Sequence, residues 1–144
     1  MLFRSVSVND WRLIEEFNWL DDKKRLAKLN QLGDEAADHF QAVLPGALER
    51  FDHVLVVTHV PPFRESCWHE GRMSDKDWLP HFSCKAVGDV LSDPVARHPE
   101  KKMTVLCGHT HGSGEAQILP NLRVLTGGAE YGRPVVQKAT IDIA

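Results

Sequence analysis

Met103-Thr104-Val105-Leu106-Cys107 is a short run, apolar but for Thr104, that ends in Gly108-His109-Thr110-His111. The arrangement has an earlier counterpart, where Val54-Leu55-Val56-Val57 leads into Thr58-His59-Val60-Pro61-Pro62. Short runs that are apolar nearly throughout read as strands buried on both faces. Between them Ala86, Val87, Val90 and Leu91 mark a helical face that ends near Pro94, so strand, helix and strand alternate. Two strands of one sheet that release histidines on the same side bring imidazoles together although they are far apart in sequence.

Working outward from that unit, Asn9-Asp10 offers a helix N-cap ahead of Trp11, Leu13, Ile14 and Phe17, after a strand-like remnant at Val6 to Val8. From Asp21 on, Leu26, Leu29, Leu32, Ala36, Phe40, Val43, Leu44, Ala47 and Leu48 recur at intervals of mostly three and four. That spacing predicts one apolar face of a long helix, which Pro45-Gly46 should kink or split. Ser74, with Asp77 three residues on, predicts the cap of a short helix. Beyond the second histidine loop come Ala116 to Leu119, the turn pair Pro120-Asn121, Leu122 to Leu125, then Gly127-Gly128 and an alternating segment from Val135 to Ile143. Short strands with tight turns predict an antiparallel edge. The expected class is α/β (or α+β) with a central sheet in a single domain over residues 1–144; no repeat or linker marks a second one.

Composition limits the functions open to this chain. Its 144 residues, 42% apolar, suit one core of ordinary size, and a net charge of -3 without a basic cluster gives no electrostatic footprint for nucleic acid. No apolar stretch approaches a membrane span and the first residues lack signal-peptide character, so no membrane partner and a cytoplasmic location are expected. Cys67, Cys84 and Cys107 are an odd count with no disulfide framework, which fits a reducing compartment.

At Gly108-His109-Thr110-His111, glycine permits a sharp turn, and histidines two apart in extended backbone would project to one side. Imidazole is the commonest ligand for zinc, iron and similar ions, and two ions roughly 3.5 to 4 Å apart clamp a phosphate and activate a bridging water. Pro61 and Pro62 stiffen the loop after His59 and so fix the direction of its ring. The plainer alternatives are a solvated loop that happens to hold two histidines and a core histidine bonded to a neighbour.

With both elements in this order, the chain resembles the calcineurin-like metallophosphoesterases, in which a Thr-His-x-Pro-Pro element and a Gly-His-x-His element serve a dinuclear metal centre. The resemblance covers the chain from about Asn9 onward. It implies a partial β-sandwich flanked by helices, two divalent transition metals (Mn, Fe, Zn or Co), a phosphomonoester or phosphodiester substrate, and metal ligation by His59, His109 and His111. His59 and His109 would serve one ion and His111 the other. The family pattern also has an earlier Asp-x-His, a Gly-Asp and a Gly-Asn-His, the last supplying the catalytic histidine; no Asp-x-His or Gly-Asn-His precedes His59 here, and the earlier Gly-Asp, Gly33-Asp34, falls within the long predicted helix. The resemblance thus implies the C-terminal portion of such a domain, with no secure catalytic residue and with partial or no metal binding and weak or no activity by this chain alone. Apolar surface left bare by a missing half would promote self-association. The alternative is a non-catalytic interaction module that keeps the scaffold.

Other residues carry weaker expectations. Cys67-x-His69 and His81-x-x-Cys84 form a chemically possible Cys2His2 zinc site, although Trp68, Trp78, Leu79 and Phe82 would pack the same segment without metal. Arg64 lies close after Pro61-Pro62-Phe63 and Tyr131 and Arg133 follow Gly127-Gly128-Ala129, so each is a candidate substrate contact or simply a surface residue. Glu130 would stand behind the site or on the surface.

Overall fold

The computed structural model of the protein describes residues 7–137 and residue 141. Its strands are β1 (His53–Val57), β2 (Trp68–His69), β3 (Arg72–Met73), β4 (Lys102–Cys107), β5 (Gly114–Leu119) and β6 (Leu122–Thr126). The helices are α1 (Asp10–Leu13), α2 (Asp22–Arg50), α3 (Leu79–Phe82) and α4 (Lys85–Ala96), with single 3-10 turns at Glu15–Phe17 and Arg64–Ser66. Four strands form a mixed sheet in the order β1-β4-β6-β5, and β2 and β3 make a separate small hairpin. β1, β4 and β6 are parallel, while β5 pairs antiparallel with β6 at the edge, so the class expected from the sequence is the one observed.

Register explains the core. Val56, Val105 and Val124 align across the sheet, with Ala116 in register beside them, and the three valines pack with Val87, Leu91 and Val95 of α4 and Ala37, Leu44 and Leu48 of α2. Burying each of the larger aliphatic side chains contributes about 1.5 to 3 kcal/mol before chain entropy is counted. Burial of β1 on both faces does not hold: Leu55 and Val57 remain 46% and 69% exposed. The reason is architectural, since α2 and α4 share one face and β1 is an edge strand. Nor is there a sandwich among the described residues, which provide one four-stranded sheet with helices packed on one side.

Asp21 caps α2 by accepting from the Lys24 amide at 2.8 Å, and the helix then runs unsplit for 29 residues. Pro45 does not break it. Its side is exposed, where the carbonyl that loses a helical donor can turn to water. The segment after Asn9 is shorter than the spacing predicted, one turn of α1 followed by the 3-10 turn at Glu15–Phe17, and the Asn9 side chain accepts from the Arg12 guanidinium rather than from a helix amide. Ser74 caps nothing: its hydroxyl and amide both bond the Cys67 carbonyl, and Asp75 accepts from the Asp77 and Trp78 amides instead. Residues 135–137 are not in a strand, nor are residues 7 and 8 of the expected Val6–Val8 remnant; the remainder of the expected terminal strand, 138–143, lies outside the described residues except for residue 141, as does residue 6. No helix among the described residues is long and apolar enough to cross a membrane.

Candidate metal centre

Parallel pairing sends the chain out of β1, β4 and β6 at the same end of the sheet, the end where open α/β sheets form their crevices. The ladder continues past the strands. Thr58 N–H donates to the Leu106 carbonyl at 3.0 Å and Gly108 N–H to the His59 carbonyl at 2.9 Å, so the two histidine loops leave the sheet bonded to one another. Gly127 N–H donates to the Cys107 carbonyl at 2.8 Å and Ala129 N–H to the His111 carbonyl at 3.2 Å, which ties in the chain after β6.

His109 Nδ1 and His59 Nε2 stand 3.2 Å apart. On its other side His109 Nε2 is 3.2 Å from the His81 carbonyl, which can only accept, so a neutral His109 carries its proton at Nε2 and presents the Nδ1 lone pair beside His59. Burial lowers the His109 pKa, partly offset by its bond to the His81 carbonyl and by the charge of Asp10, which favours this neutral form. An imidazole whose second nitrogen is held by a backbone carbonyl is the usual arrangement of a metal-ligating histidine. Two nitrogens bound at about 2.0 to 2.1 Å in tetrahedral geometry lie roughly 3.3 to 3.4 Å apart, close to the separation here. The donor pair therefore fits one ion. The Phe82 ring meets His109 edge-on at 5.5 Å, while His59 and its contact with His109 are exposed.

His111 is placed differently. His109 and His111 have φ of 67° and 60°, left-handed rather than extended, so the two rings do not project in parallel as an extended stretch would require. The His111 ring rests against Tyr131 at 4.8 Å. Among the described residues no three His, Cys, Asp or Glu side chains converge as a metal site. The structure thus brings together His59 and His109, with His111 adjoining in the same loop.

The Cys67, His69, His81 and Cys84 set is dispersed. Cys67 donates its thiol proton to the carbonyls of Phe63 and Phe82, and burial pushes its pKa up to about 12. His69 Nδ1 donates to the Thr110 carbonyl at 3.0 Å, while His81 packs against Trp11 and Cys84 leans toward the Gly33 carbonyl. Arg64 is exposed beside Glu65, and Arg133 is exposed beside Glu130, 3.8 Å away in each case. Tyr131 alone of the substrate candidates touches a histidine of the site.

Sequence reading missed the residues that set the loop positions. A Cβ on Gly88 of α4 would lie 2.2 Å from the Pro62 carbonyl oxygen, so glycine lets the helix backbone come right up to the His59 loop. At Gly114 a Cβ would meet the Trp68 ring at 2.3 Å, which locates the β2-β3 hairpin over the exit of the His109 loop. His81 serves through its carbonyl, a role that residue type does not disclose. Comparison with models of known families, with curated proteins and with solved structures gives no match.

Proposed function

We propose that His59 and His109, with His111, form the later part of a metal-dependent phosphoesterase centre. The observation that supports this most is the His81 carbonyl fixing His109 Nε2–H while Nδ1 is offered 3.2 Å from His59 Nε2. A bound divalent ion supplies Lewis acidity toward a phosphoryl oxygen and lowers the pKa of a bound water. The chain's own part is to hold two imidazoles in register, to pack Phe82 edge-on against His109, and to place Tyr131 beside His111. With two adjoining nitrogen donors and no carboxylate joined to them, one ion is held weakly, and hydrolysis by this chain alone is slow. Addition of Co2+ tests this by the visible ligand-field absorption of a nitrogen-bound ion. Roughly one equivalent should bind, and either His59→Ala or His109→Ala should abolish the spectrum; binding that persists in both variants defeats the assignment.

A second reading, a non-catalytic interaction module, draws on the uncovered sheet face at Leu55 and Val57. It predicts indifference to chelators and to both histidine substitutions in partner binding and in Co2+ titration alike.

A further inference from the structure

His109 Nε2 is held by a carbonyl of α3, a helix of only four residues, Leu79–Phe82. One turn is far too short to persist by its own hydrogen bonds, so its position depends on what packs against it. Its end carbonyls find partners in side chains: Leu79 accepts from the Ser83 hydroxyl at 2.8 Å, Phe82 from the Cys67 thiol at 3.2 Å, and His81 from His109. The half-buried His81 ring provides a further support. Trp11 of α1, 7% exposed, meets it edge to face at 5.6 Å. Trp11 is itself held by the Phe17 ring at 5.2 Å and by the Arg25 guanidinium over its ring at 5.6 Å. A residue from the start of the chain thus bears on the same short turn that orders His109.

The two tautomers of a neutral imidazole exchange donor and acceptor between the ring nitrogens, and only the Nε2–H form turns a lone pair at Nδ1 toward His59. The His81 carbonyl selects that form because it can only accept. At 3.2 Å the bond lies at the far end of the usual range, so a small retreat of α3 would release it.

We propose that Trp11 is a positioning residue for His109: its packing on the His81 ring keeps α3 seated, so that the His81 carbonyl holds the His109 proton on Nε2 and leaves Nδ1 turned to His59. The consequence for metal affinity rests on the phosphoesterase reading above; the consequence for the His109 tautomer does not.

Long-range proton–nitrogen correlation NMR of the metal-free full chain, at pH about 8 and so above the ordinary histidine range, distinguishes a protonated ring nitrogen from a bare one. Wild type should show the His109 proton on Nε2. Trp11→Leu keeps apolar bulk but removes the ring, and it should move both His109 nitrogens toward the averaged values of exchanging tautomers. Trp11→Phe, which keeps an aromatic edge, should stay close to the wild-type pattern. Trp11→Met replaces the leucine variant if that one fails to melt cooperatively. Leu48→Ala lowers stability from within the main core and should leave the pattern unchanged. A wild-type proton on Nδ1, a wild-type pattern in the leucine or methionine variant, a phenylalanine variant no different from the leucine one, or an equal change in Leu48→Ala overturns the proposal. Titration with Co2+ then separates the two readings. Trp11→Leu should weaken Co2+ about tenfold, the lower end of what groups behind metal ligands contribute. If the tautomer responds as expected but wild type binds no Co2+, or if Co2+ affinity ignores a shifted tautomer, the metal reading falls and the positioning role stands. If wild type binds Co2+ through His59 and His109 while Trp11→Leu alters neither tautomer nor affinity, the positioning role falls and the metal reading stands.

Discussion

His109 and His111 both sit in left-handed backbone, a conformation that costs a non-glycine residue roughly 1 kcal/mol or more. At His111, whose ring is exposed, the cost is separable from side-chain packing. His111→Gly should therefore be more stable than His111→Ala by about 1 kcal/mol, read as a higher melting temperature; an alanine variant at least as stable as the glycine one would show that the turn is unstrained. Protonation gives a second prediction. Burial lowers the pKa values of His109 and His81 from the ordinary 6.5, so the unfolded chain binds more protons in the interval between the folded values and 6.5. Stability contributed by these rings is complete above that interval and is lost as pH falls through it. The melting temperature of wild type should drop as pH falls below the ordinary 6.5, and the drop should shrink in His109→Gln. Equal slopes in the two proteins would remove His109 from this account. At this scale the sequence discloses His59 and His109, because an apolar lead-in and a rigid loop are local signals. It does not disclose that His111 turns to Tyr131, since that follows from a backbone conformation favoured by glycine and occupied here by histidine.

Among the elements, the packing of α4 on the His59 loop depends on the absence of one side chain. Gly88→Ala would force its new Cβ off the Pro62 carbonyl, a backbone atom with little freedom, and overpacking of this kind costs about 1 to 3 kcal/mol. The variant should melt lower and also bind Co2+ more weakly, because helix and loop must part. A loss of stability with Co2+ affinity unchanged would mean that the strain relaxes elsewhere. Asn121 plays a comparable part at the opposite end, its amide lying 2.9 to 3.0 Å from the carbonyls of Val95, His98 and Lys101 and so joining the β5-β6 turn to the end of α4. Periodicity made α2, α4 and the parallel strands readable. It misled at Pro45, where exposure let the helix continue, and at Ser74, where a tertiary carbonyl outcompeted the helix amide for the hydroxyl. Those outcomes depend on contacts across the fold and leave no mark in local spacing.

For the molecule as a whole, α2 and α4 cover one side of the sheet and leave Leu55 and Val57 exposed on edge strand β1. An apolar edge strand is prone to pair with another chain. Val57→Lys should reduce concentration-dependent self-association in light scattering without lowering the melting temperature, since the side chain it replaces is largely in water; unchanged association would place the contact elsewhere. Fold class was legible from the alternation of elements, whereas one-sided coverage was not, because an apolar edge strand and an apolar central strand read alike. The main-chain bonds from Thr58 to Leu106 and from Gly108 to His59 carry a last consequence. They anchor the backbone of both histidine loops through peptide groups, so the approach of the two loops does not depend on which side chains stand at 59 and 109. The direction of the His109 ring is a separate matter, set by the bond of its Nε2–H to the His81 carbonyl, which means that the two loops would stay joined in a His109→Ala variant while the nitrogen pair is lost.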